Sequence, residues 1–157
     1  MDYTIRKIRE EEFGILQDFL YEAVYVPDGV EPPDRKILEL PELRVYIENF
    51  GKKSGDRCLV AESNNMIVGA VWARIMKDYG HVDDETPSLA ISLYKDYRKC
   101  GIGTEMMKQM LAMLKNDGFK RVSLSVQKAN YAVKMYQNLG FQVIVDNPDE
   151  YIMIIDL

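Results

Sequence analysis

The chain is poor in the residues that build metal and disulfide sites. It has one histidine, His81, and two cysteines, Cys58 and Cys100, in 157 residues. Two cysteines are too few for a disulfide framework or a tetrahedral zinc site, and a lone histidine adds no cluster, so no metal is expected. No apolar run approaches the ~18 residues that cross a bilayer, and no membrane partner is expected. Basic residues number 20 against 25 acidic ones, for a net charge of −5, and they are scattered among the acids. That balance argues against nucleic acid or an anionic membrane surface as the main partner. The opening Met1-Asp2-Tyr3-Thr4-Ile5-Arg6 has no apolar signal core, and the cytoplasm is the expected compartment.

The apolar share of 47% and charged share of 29% suit a folded chain rather than a disordered one. The length fits a single domain over residues 1–157, large enough to bury a core. A homodimer is left open. Residues Tyr3 to Arg9 alternate and predict a strand. Glu10 to Tyr25 predicts a helix with Phe13, Leu16, Phe19, Leu20 and Val24 on one face. A loop follows from Val26 to Asp34, with three of the six prolines. Leu43 to Phe50 predicts a second helix and Gly51 to Gly55 a turn. Cys58–Glu62 and Met66–Met76 flank Ser63-Asn64-Asn65 and predict a hairpin. In the strand Leu89–Leu93, Leu89, Ile91 and Leu93 share one face, with Ala90 and Ser92 on the other. Gly103 to Asn116 predicts a helix with Met106, Met107, Met110, Leu111 and Leu114 buried and Gly118 as its stop. Helical spacing makes these methionines core filling. Then come a strand over Arg121–Gln127, a helix with Ala132, Val133, Tyr136 and Leu139 ending at Gly140, and strands at Phe141–Val145 and Tyr151–Ile155. The pattern predicts an α/β fold with a mixed sheet.

The stretch most suggestive of chemistry is Arg98-Lys99-Cys100-Gly101-Ile102-Gly103-Thr104, between a strand and a helix. A helix start leaves N–H groups unpaired and partly positive, and glycines let a ligand approach the backbone. Together these make a cradle for phosphate, to which Arg98 and Lys99 add charge. A plain strand-to-helix turn is the alternative. The loop lacks the Gly-Lys-Ser/Thr ending of a Walker loop. Met106 stands where a dinucleotide fingerprint needs a third small residue.

Arg98-x-x-Gly101-x-Gly103 resembles the R/Q-x-x-G-x-G/A signature of the GNAT N-acetyltransferase superfamily. Downstream, Asn130-Tyr131-Ala132-Val133-Lys134-Met135-Tyr136-Gln137-Asn138-Leu139-Gly140-Phe141 is similar to that family's second motif, one helix and one strand later. The resemblance implies a single domain with a mixed, mostly antiparallel twisted sheet flanked by helices. It implies acetyl-CoA as cosubstrate and direct attack by an amine, from a small molecule or a peptide, in a ternary complex. A non-catalytic acyl-CoA-binding sensor or interaction module is the alternative. By the resemblance, Arg98, Lys99, Cys100, Gly101, Ile102, Gly103 and Thr104 hold the pyrophosphate. Ile91, Ser92 and Leu93 pair with the pantetheine arm, and the Leu93 N–H polarises the thioester carbonyl. Asn130 contacts coenzyme A or caps the last helix. Tyr136 is the general acid or a core aromatic.

Two positions depart from the resemblance. Where N-terminal protein acetyltransferases carry a Glu base this chain has Ser125, and where histone-type relatives carry one it has Pro87. Candidate bases are then Glu85, His81, Asp83, Glu62 or water. A thiol at a helix N-terminus has a lowered pKa, which makes acetylated Cys100 a rival, ping-pong route. Glu22, Asp28, Glu31, Asp34, Asp83, Asp84 and Glu85 suggest an acidic mouth suited to a cationic amine, or simply solvated loops.

Overall fold

A computed structural model of the chain describes residues 2–157. Its seven strands form one sheet in the order β1-β2-β3-β4-β5-β7-β6. The strands are β1 (Thr4–Lys7), β2 (Arg57–Ser63), β3 (Met66–Arg74), β4 (Ser88–Leu93), β5 (Arg121–Gln127), β6 (Gln142–Asp146) and β7 (Glu150–Asp156). Every neighbouring pair is antiparallel except β4 and β5, which run parallel. The β2–β3 hairpin turns on Asn64 and Asn65, whose φ angles of 52° and 63° are the left-handed values a two-residue turn requires. The α-helices are α1 (Leu16–Ala23), α2 (Pro41–Arg44), α3 (Ile102–Asn116) and α4 (Ala132–Leu139).

Strand alternation sends side chains to two cores. On one face Leu59, Val71, Leu89, Val122 and Leu124 pack with Met106, Met107, Met110 and Leu114 of α3 and with Tyr136 of α4. Those α3 residues are fully buried, as the methionine spacing predicts, while Leu111 lies at the rim. On the other face Val60, Ala70 and Trp72 pack with Leu16, Phe19 and Leu20 of α1 and with Tyr46 and Phe50.

Two helices are shorter than the pattern predicts. Residues Glu10–Ile15 form a 3₁₀ helix before α1. Its Glu12 carboxylate turns back to the Arg9 N–H at 2.8 Å and to Arg6, and Gly14 follows, a poor helix former. The expected helix over Leu43–Phe50 yields α2 and then irregular turns. There the Arg74 guanidinium takes the carbonyls of Val45 and Glu48 at 3.1 and 2.9 Å, and the Trp72 indole takes that of Tyr46 at 3.0 Å. Side chains of β3 thus claim acceptors that a continuing helix needs for itself. Asp56 accepts from the Arg74 Nε and Nη2 at 3.1 Å each, so four of its five N–H groups are bonded.

Candidate active site

The strand pair β4–β5 is joined at one position, Ser88 opposite Ser123. There the Ser123 N–H donates to the Pro87 carbonyl at 3.0 Å. Toward their C-terminal ends the two strands carry no further pairing and leave a gap in the sheet. On its other side β4 stays paired with β3 from Ser88 to Leu93, and the Tyr94 N–H donates to the Val68 carbonyl at 2.9 Å. Backbone groups alternate along a strand, so those of Leu89, Ile91 and Leu93 point to the gap. Ser92 does not face it. Its backbone belongs to the ladder with Ala70, and its hydroxyl donates to the Phe19 carbonyl at 2.6 Å, pinning α1 to β4.

Helix α3 starts at the open end of the gap. Lys99 and Gly101 turn the chain with φ of 59° and 86°, and no side chain caps the helix. The first intrahelical bond runs from the Glu105 N–H to the Gly101 carbonyl at 3.2 Å, so the N–H groups of Ile102, Gly103 and Thr104 have no helical partner. A Cβ on Gly101 would meet nothing within 4 Å. One on Gly103 would meet Leu93 Cδ1 at 3.4 Å and Met135 Sδ at 3.8 Å, filling the space between β4, α3 and α4. Backbone donors, a positive helix end and open glycines fit a pyrophosphate.

The side chains of the loop differ from expectation. Arg98 adds no free charge: its guanidinium donates to Glu22 and to the Leu93 carbonyl, both at 2.9 Å. It fastens the loop to the end of β4 and to α1. Lys99 Nζ lies 4.9 Å from the centroid of the exposed Tyr131 ring. The Cys100 thiol is exposed and donates to the Arg98 carbonyl at 3.2 Å. Asn130 accepts the Ala132 N–H at 2.9 Å, so its carbonyl oxygen caps α4. Tyr136 packs edge-on against Phe141 with centroids 5.9 Å apart, and burial pushes its hydroxyl pKa up, keeping it protonated.

The other face of the gap is polar. Ser88 donates to Asp78 Oδ1 at 2.7 Å, and Ser123 donates to the Gly80 carbonyl at 2.7 Å. Gly80 lies flat on β5, where a Cβ would come within 3.0 Å of the Leu124–Ser125 backbone. The hydroxyl of Tyr46, a buried residue, neighbours both Asp78 and Ser125. Asp78 and Tyr46 therefore stand against Ser88, next to Pro87, and against Ser125; Pro87 and Ser125 are the two positions left without a carboxylate. Sequence reading missed Asp78 and Tyr46. Gly80 was the available signal, since a loop that lies on a strand needs a residue without a side chain.

The expected bases fare unequally. Glu62 lies on β2, beyond β3 from the gap, and is paired with Arg6 at 2.8 Å. Asp83 pairs with Arg121, and the Thr86 hydroxyl, the Glu85 N–H and that arginine hold its pKa down to about 2, which makes it a weak base. Glu85 is exposed, and its N–H caps Asp83. His81 Nδ1 is 2.8 Å from the Met76 carbonyl, and its Nε2 lies 3.4 Å from Asp84 Oδ1, so the ring is turned into its own loop. Of the expected acidic mouth, Glu22 neutralises Arg98, Asp83 pairs with Arg121, and Asp34 caps a 3₁₀ turn through the Lys36 N–H at 2.9 Å. Asp28, Glu31, Asp84 and Glu85 remain exposed.

A model of the acetyltransferase (GNAT) family matches residues 18–141. The chain belongs to this family. It is 31% identical over 111 residues to N-alpha-acetyltransferase 50 of Danio rerio, across 68% of this chain and 65% of that protein. The chain thus spans just under two thirds of that relative. It is 29% identical over 135 residues to an N-alpha-acetyltransferase of Saccharolobus solfataricus, across 74% of this chain and 80% of the relative. Among solved structures it resembles the PaiA N-acetyltransferase of Thermoplasma acidophilum in complex with coenzyme A. That match has a TM-score of 0.73 at 18% identity and covers 100% of both chains. The mixed sheet with helices on both faces is the fold of this family.

Proposed function

We propose that this protein moves an acetyl group from acetyl-CoA to a primary amine by direct attack in a ternary complex, and that the acceptor is the α-amine of a peptide or protein N-terminus. The β4–β5 gap is the observation that carries this reading, because it runs from an uncapped helix start toward the polar cluster of Ser88, Asp78 and Ser123. The N–H groups of Ile102, Gly103 and Thr104, with Lys99 beside them, hold the pyrophosphate. Ile91 and Leu93 offer gap-facing backbone groups to the pantetheine amides. Arg98 positions that strand end, and Asn130 keeps its amide N–H₂ for coenzyme A while its oxygen caps α4. Tyr136 donates a hydrogen bond to sulfur as negative charge develops there. Cys100 has no part in transfer.

The names of the two N-alpha-acetyltransferase relatives support an α-amine acceptor, and so does proton chemistry. An α-ammonium has a pKa of ~8 against ~10.4 for a lysine side chain, so at neutral pH its reactive free form is a few hundredfold more abundant. An acetyl-transfer screen tests the reading with peptides of free N-terminus, N-blocked lysine peptides, polyamines, aminoglycosides and amino acids. N-terminally acetylated peptide is the expected product. Coenzyme A binding with no product across the panel would instead make the protein a binding module.

A further inference from the structure

Resting on the acyl-transfer reading, we infer that Asp78, with the Tyr46 hydroxyl beside it, takes the proton from the incoming ammonium on the polar face of the β4–β5 gap. Position comes first. Gly103, at the pyrophosphate end, lies against Leu93 and Ile91. From Leu93 back to Ser88 is five strand steps of ~3.3 Å, about 16 Å. An extended arm anchored at the α3 start and running back along β4 therefore delivers its thioester toward Ser88. Asp78 Oδ1 accepts from that serine at 2.7 Å. The neighbours of Asp78 are held by the sheet: Gly80 is pressed on the β5 backbone and accepts from Ser123, and the Tyr46 carbonyl accepts from the Trp72 indole.

Chemistry comes second. Among the described residues, Asp78 Oδ2 is the one fully buried side-chain oxygen without a hydrogen-bond partner. Groups facing the carboxyl are Tyr46 from the turn after α2, Ser88 from β4, and the backbone of Gly80 in its own loop. None is cationic, and the His81 ring is turned toward Met76 and Asp84. A carboxylate kept from water with no counter-charge is costly unless it meets a cation, and a substrate ammonium supplies one. Burial also moves this carboxyl upward from its ordinary value, toward the range of an effective base.

The step balances. Asp78 carboxylate takes one proton from the ammonium and becomes the neutral acid. The freed nitrogen lone pair forms the C–N bond at the thioester carbonyl carbon, and the C–S bond breaks. The second nitrogen proton ends on sulfur, which Tyr136 stabilises meanwhile. Asp78 then returns its proton to solvent.

Asp78→Asn tests this, because it keeps the size and the Ser88 hydrogen bond but cannot accept a proton. With the best peptide acceptor, kcat/KM is expected to fall about a hundredfold or more at pH 7. It should climb back toward wild type as pH passes the amine pKa near ~8, where solvent has already removed the proton. Coenzyme A affinity by calorimetry should stay within a few-fold. A variant profile that superimposes on wild type overturns the assignment, and so does a loss equal at every pH. Should Asp78→Asn lose coenzyme A binding, Asp78→Glu and Tyr46→Phe decide instead. A displaced pH limb with binding intact supports the assignment, and an undisplaced limb in both overturns it. Wild-type protein that binds coenzyme A yet acetylates no amine overturns the acyl-transfer reading, and this assignment with it.

Discussion

Two acids flank the candidate site, Tyr136 buried and Asp78 half-buried, and burial raises both, with different consequences. For Tyr136 the shift keeps the hydroxyl protonated, so it serves as a hydrogen-bond donor to sulfur. Full proton transfer to a thiolate of pKa ~8.5 is already uphill from an ordinary tyrosine at ~10, and burial steepens it. Tyr136→Phe keeps the ring against Phe141 and removes only that donor. Its kcat should fall roughly ten- to a thousandfold, with coenzyme A affinity changed far less, as steady-state kinetics and calorimetry would show. An unchanged kcat, with chemistry rate-limiting, would leave water as the donor. For Asp78 the shift opposes folding. A carboxyl raised in the folded state contributes stability below its unfolded pKa of ~3.9, and that contribution is lost as pH rises through the folded value. Asp78→Asn should therefore melt above wild type at neutral pH and lose that advantage near pH 3–4. A melting temperature below wild type at pH 7 would point to a structural carboxylate.

At the scale of elements, helix α3 is where sequence and structure agree best, and the binding prediction belongs there. Gly103 has no positive φ, so the backbone allows a side chain, and its Cβ would sit in ordinary contact with Leu93 at 3.4 Å, in the space at the α3 start that a ligand would use. Gly103→Val should fold but lose the thermal shift given by coenzyme A. Normal binding by that variant would place the phosphates elsewhere. Cys100→Ala should keep turnover within a few-fold, and intact mass should show no acetyl-protein on mixing with acetyl-CoA alone. Elements set by their own periodicity and stops were legible: α3, β5 and α4 follow the predicted spans within a residue, with Gly118 and Gly140 at φ of 93° and 110° as stops. Illegible features depend on distant partners. Turns over residues 45–50 replace helix because Arg74 and Trp72 on β3 take their carbonyls. Arg98 is neutralised by Glu22, 76 residues away. Asp78 became visible only when Tyr46, Ser88 and β5 met around it. Local patterns report periodicity and turn chemistry, and they carry no information on which loop closes over which strand.

Across the whole molecule, the gap divides the sheet into β1-β2-β3-β4 and β5-β7-β6, joined by one backbone pairing. At the closed end Asp83 and Thr86 hold Arg121, and Gly80 holds Ser123. At the open end the ties are α3 and α4 packing across the same core, the Tyr25 hydroxyl donating to the Ala129 carbonyl at 3.3 Å, and Lys99 over the Tyr131 ring. A ligand seated along the gap would pair with β4, touch α3 and α4, and close that end, so its binding is linked to global stability. At about 100 times its dissociation constant, acetyl-CoA should add ~2.7 kcal/mol. At ~2–4 °C per kcal/mol for a chain of this size, that is roughly 5–11 °C in melting temperature. NAD and ATP share a pyrophosphate or triphosphate but lack an arm that can run back along β4, and they should add far less at equal concentration. Scanning calorimetry with the three ligands separates the alternatives. A large shift with acetyl-CoA alone requires the arm as well as the phosphates. Equal shifts would mean that the α3 start binds any polyphosphate and that the gap contributes nothing to recognition.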